Sequence, residues 1–110
     1  MTAQRSRAGG AAVALLLLAT ACSSGPPEHH ATALKQVRAI AMVLAEGKPD
    51  ASDPVGTNWF LGACADLGHL ADGTEPGLSS GDRKRLQKVV PSCHLDPAAS
   101  LRVSREILDD

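Results

Sequence analysis

Asn58-Trp-Phe-Leu-Gly-Ala-Cys-Ala-Asp-Leu-Gly-His-Leu-Ala71 is the run that decides the fold. At about 100° per residue, Trp59, Phe60, Ala63, Cys64, Leu67, Leu70 and Ala71 fall on one arc, with Gly62, Asp66, His69 and Asp72 on the other. A half-buried strand alternates every second residue, and this run does not. Asn58 stands where an N-cap accepts from the first free amides. The spacing therefore predicts a helix whose inner face carries both aromatics and Cys64 into the core.

Towards the N-terminus, residues 48–57 are rich in Pro, Asp, Ser and Gly and read as a loop. Its Asp50 and Asp53 lack the D-x-D-x-D-G spacing of a calcium loop and read as solvated. Before it, residues 31–46 place Leu34, Val37, Ala41 and Leu44 at helical intervals, with Ile40 on the same side. Met42 projects among polar neighbours, and Gly47 and Pro49 end the helix. His29 and His30 precede it as solvated residues.

Towards the C-terminus, Gly73-Thr-Glu-Pro-Gly marks a turn. Ser79 or Ser80 opens a third helix with Asp82 near its start. Leu86, Val89 and Val90 supply its buried side, and Pro91 ends it. Arg83, Lys84, Arg85 and Lys88 form a basic cluster: a solvated face by default, or a contact for anionic lipid or an acidic protein. Asp96 as N-cap and Pro97 as first helical residue start the last helix. Its apolar arc holds Leu101, Val103, Ile107 and Leu108, and Arg102–Glu106 and Arg105–Asp109 have i,i+4 spacing.

The first residues are of another kind. Arg5-Ser-Arg7 is followed by the apolar run Ala11-Ala-Val-Ala-Leu-Leu-Leu-Leu18 and then by Ala19-Thr-Ala-Cys22. That is the order of a positive n-region, an h-region and a small-residue cut. The uncharged run is about 15 residues, short of the roughly 20 that span a bilayer. Leu18-Ala-Thr-Ala-Cys22, followed by Ser23-Ser-Gly-Pro-Pro27, resembles the start of a bacterial lipoprotein precursor. The resemblance implies that the Cys22 thiol accepts a diacylglyceryl group, that residues 1–21 are removed, and that Cys22 becomes a membrane-anchored N-terminus. Ala19-Thr-Ala21 also fits ordinary secretion, which cuts the same bond without adding lipid. Residues 22–30 then form the lipidated end and a flexible tether, and residues 31–110 one small domain.

Past the cut, 89 residues carry nine Lys/Arg against twelve Asp/Glu, a formal charge of −3. Nucleic-acid binders show a basic surplus, so that class is set aside. A core this small, with Trp59 and Phe60 as its aromatics, is marginal without a staple. With Cys22 carrying lipid, Cys64 and Cys93 remain as a pair, and an oxidising envelope favours joining them.

Most chemistry is declined on spacing. Cys64, His69, Cys93 and His94 do not make a zinc pattern, because positions 64 and 69 diverge by about 140° around a helix. Cys93 beside His94 suggests a thiol redox centre, but C-x-x-C is absent. Asp66, His69 and Asp72 suggest a pH-sensing or metal-binding face, against a default of mild charge pairing. His69 and His94 are the candidates for a haem ligand. Walker, dinucleotide-binding and nucleophile-elbow motifs are absent from the sequence.

The expectation is an all-α domain of three to four short helices with one disulfide, tethered by Cys22 to the outer face of the cell membrane or outer membrane. Its expected role is a non-enzymatic interaction or binding module, without cofactor, serving an envelope protein partner. The alternatives are a small-ligand carrier for haem, lipid or metal, and a thiol redox protein using Cys64 and Cys93.

Overall fold

The computed structural model describes residues 27–110. The leader, the cut and the lipidation site Cys22 lie outside those residues. The described chain is all-α, with no strand among the described residues: α1 Pro27–Ala45, α2 Pro54–Asp72, α3 Ser80–Gln87 and α4 Pro97–Asp109, with a 3-10 turn at Val90–Ser92. α1 packs most extensively on α4 and also on α2, while α2 carries α3 and the 3-10 turn on its other flank.

Three of the four helices begin with proline, and that rule sets two boundaries away from the expected ones. Proline lacks the amide that an N1 residue would leave unpaired, and its fixed φ already suits the helix. α1 therefore starts at Pro27, with Glu28 in its first turn, and takes in His29 and His30. Residues 27–30, expected to precede the first helix, are part of it. In α2 the cap is Asp53, whose Oδ1 accepts from the Gly56 amide at 2.9 Å, so Asn58 sits inside the helix instead of capping it. Asp96 and Pro97 open α4 as expected, with Asp96 Oδ1 accepting from the Ala98 amide.

The third helix is shorter than its apolar spacing suggested. Ser79 caps it, its Oγ accepting from the Asp82 amide, but the helix stops at Gln87. Pro91 cannot donate to a carbonyl one turn back and disfavours α geometry at Val90. Val89 and Val90 consequently lie beyond the helix, half-buried, and still pack against the core. Gln87 Nε2 donates to the Ala71 carbonyl, satisfying a group at the C-terminal end of α2.

The core holds Val37, Ile40 and Leu44 from α1, Phe60, Leu67 and Leu70 from α2, then Leu86, Val103 and Ile107. Trp59 departs from the expectation: it is 68% exposed, while Phe60 beside it is 3% exposed. Ser100 and Ser104 on α4 are buried with no accessible surface. Their hydroxyls donate to the carbonyls of Val89 and Ser100, so neither is left unpaired.

Cys64 in α2 is joined to Cys93, just past the 3-10 turn, with Cα atoms 5.8 Å apart. The bond ties the middle of α2 to the segment leading into α4. Closing a loop of this length stabilises by about 3–4 kcal/mol in the chain-entropy treatment. A second tie fixes the turn after α2. Gly77, at φ +124°, lies against the first turns of α1, where a Cβ would meet the Ala33 side chain at 2.7 Å and the His29 carbonyl. His30 Nδ1 is 2.9 Å from the Gly77 carbonyl; since a carbonyl only accepts, Nδ1 carries the proton.

Candidate functional site

An open seam runs between α1 and α2. Ala39, Ile40 and Val43 of α1 face Trp59, Gly62 and Asp66 of α2 across an open groove of about 380 Å³. Beyond Val43 and Trp59 it continues into a depression of about 560 Å³ over the 46–53 loop and the first turn of α2. Beyond Ile40 and Asp66 it runs into a smaller one, of about 180 Å³, that reaches Gln36 and Glu75. Trp59 stands at the junction of the two larger parts. The groove is open above Gly62, where a Cβ would meet nothing within 4 Å.

The position of Trp59 follows from angle. The buried residues of α2 (Phe60, Ala63, Cys64, Leu67, Leu70 and Ala71) centre on Leu67, and Trp59 lies about 80° from that centre at the helical repeat. It is the edge of the apolar arc, and it is left largely uncovered. An exposed aromatic of this size is an informative departure from ordinary burial. The angular spread of the arc was the signal in the sequence; grouping every apolar residue on one face concealed it.

The groove is apolar in the middle and acidic at both ends. Glu46, Asp50 and Asp53 border the loop end, with Lys48 as the cation among them. Asp66 and Glu75 border the other. Hydrogen bonds from the Ser52 amide, and secondarily from its hydroxyl, hold the Asp50 carboxyl below its ordinary range.

The residues singled out from the sequence do not form one site. Asp66 belongs to the groove, whereas Asp72 lies at the C-terminal end of α2 and accepts from the Thr74 amide at 2.8 Å. Hydrogen bonding to Thr74 is the main cause that lowers the Asp72 carboxyl; the nearby His69 charge adds a smaller part. His69 and His94 are exposed. Among the described residues, no three His, Cys, Asp or Glu side chains converge as metal ligands do. Cys64 and Cys93 are bonded to each other, and Cys93 has no accessible surface.

The basic cluster is divided as well. Arg85 reaches Asp82 at 3.2 Å, Glu106 at 3.2 Å and Asp110 at 3.0 Å, joining α3 to the end of α4. Glu106 is therefore paired with Arg85 and not with Arg102. Hydrogen bonding to Asp110 is the main cause that raises the Arg85 guanidinium. Arg83 lies over Gly73, whose φ of +86° closes α2. Lys84 and Lys88 point to solvent. The four cations therefore do not share one free face.

No family model matches this chain, and no curated protein or solved structure is detectably similar to it.

Proposed function

We propose that the chain is a lipid-anchored envelope protein whose helical domain is a non-enzymatic interaction module, held to a membrane by Cys22 and offering the α1–α2 groove to an envelope protein. The anchor rests on the Leu18–Cys22 run and the Ser-Ser-Gly-Pro spacer after it. The binding role rests on one observation, the exposed Trp59 at the junction of an apolar groove. Aromatic side chains of this kind are favoured anchors in protein interfaces. Dithiol exchange is disfavoured, since Cys93 has no accessible surface and Cys64 is only 9% exposed, which leaves little of the bond open to an attacking thiolate.

Two measurements test the two halves. Radiolabelled palmitate is expected to enter the wild type and not Cys22→Ala, which fractionates as a released protein. No incorporation into the wild type defeats the anchor. For the module, whole-cell crosslinking is expected to give a discrete adduct that Trp59→Ala and Gly62→Leu both remove. An adduct indifferent to both substitutions removes the groove from the function.

A further inference from the structure

The rim of the groove narrows the class of partner. We propose that the α1–α2 groove receives a cationic amphipathic helix of an envelope protein, its apolar side chains seated against Trp59, Ile40 and Val43 and its lysines or arginines on the carboxylates at the two ends. The inference rests on the reading of the domain as an interaction module and adds the chemistry of what is bound.

Length, charge and exclusion each support it. From Val55 to Asp66 the α2 wall runs for about 16 Å at 1.5 Å per residue, which is three turns of a docked helix and room for anchors at i, i+3 or i+4, and i+7. Five carboxylates (Glu46, Asp50, Asp53, Asp66 and Glu75) line the groove against the single cation Lys48, and they sit at its ends, where the flanks of such a helix would lie. An anionic leaflet attracts cations and repels this rim, so a lipid surface does not fit. The α3 helix of a second copy fits poorly too. In α3 Arg85 is engaged by three carboxylates, Arg83 is folded over Gly73 and Leu86 is turned inward, so no cationic apolar face is free there.

Trp59 is the chain's only tryptophan, so its fluorescence reports on the groove. The lipidated protein in phosphatidylcholine nanodiscs is titrated with a three-turn synthetic helix bearing leucines at i, i+3, i+4 and i+7 and lysines on its flanks. A matching helix with glutamates for lysines is the control. The lysine helix is expected to give a saturable blue shift, at least about tenfold tighter than the glutamate helix and weakening with salt. Asp66→Asn with Glu75→Gln is expected to weaken it about threefold to tenfold. Gly62→Leu, which fills open space, is expected to abolish it with the circular dichroism unchanged.

Equal shifts from both helices, no shift from either, or a shift insensitive to salt and to Gly62→Leu overturns the inference. So does a shift produced by phosphatidylglycerol vesicles alone, or by protein concentration alone with a dimer in sedimentation. Tight binding of the glutamate helix would sink the cationic partner and leave the interaction module standing. Failure of Cys22 to take up palmitate would remove the anchor and leave the groove result intact.

Discussion

Trp59 and Phe60 are consecutive residues of α2, and the first is 68% exposed while the second is 3% exposed. One step of about 100° separates a side chain offered to solvent from one that fills the core.

That divergence predicts opposite mutational costs. Phe60→Ala empties a packed site and is expected to cost about 3–4 kcal/mol, whereas Trp59→Ala is expected to stay within about 1 kcal/mol of wild type. Urea unfolding followed by far-UV circular dichroism separates them. Similar midpoints for the two variants would show that Trp59 is packed after all.

The disulfide should be a major part of the domain's stability. Cys93 has no accessible surface and Cys64 is 9% exposed, so Cys64→Ala with Cys93→Ala removes the cross-link without leaving a polar group behind. The expected loss is about 3–4 kcal/mol, a large share of the ~5 kcal/mol typical at the low end for small domains. Alkylation of both Cys64 and Cys93 in the native protein, detected by mass spectrometry, would contradict the bond.

Two glycines are expected to respond in opposite directions. Gly77→Ala places a methyl against the Ala33 side chain and the His29 carbonyl, at a φ of +124° that L-residues avoid. It is expected to destabilise by about 2 kcal/mol or more. Gly62→Ala meets open space in the interior of α2 and is expected to stabilise by about 0.5–1 kcal/mol. Thermal melts of the two variants decide it, and a destabilised Gly62→Ala would mean that α2 is bent or covered there.

Acid should weaken the fold through Asp50 and Asp72. Their carboxyls are lowered from 3.8, by hydrogen bonds from Ser52 and from Thr74. A depressed folded value means that the contribution is complete above the unfolded value and is lost as pH falls through the folded one. Asp50→Asn with Asp72→Asn is expected to flatten the fall in melting temperature as the pH drops below about 4. An unchanged slope would place acid sensitivity elsewhere. Arg85 is shifted upward and stays cationic throughout that range, so it adds no slope of its own.

Much of the architecture was legible because helix signals are local. The Asp96-Pro97 start, the Ser79 cap, the apolar intervals of α1 and the inward face of Phe60, Cys64 and Leu67 depend on neighbours one turn away. Asp53-Pro54 carries the same start signal as Asp96-Pro97, and the better-known cap type at Asn58 hid it. The groove was less legible. Asp66 was singled out together with His69 and Asp72, and of the three it is the one that lines the groove.

By itself, then, the sequence determined that the described chain is helical and where two of its four helices start. Only the tertiary structure decided that Trp59 is left uncovered, that Arg85 is taken by Asp82, Glu106 and Asp110, and that Ser100 and Ser104 lie inside. Helical periodicity ranks the directions a side chain can take. Which direction is buried depends on where the next helix lands, and that is settled by contacts between residues far apart in the chain.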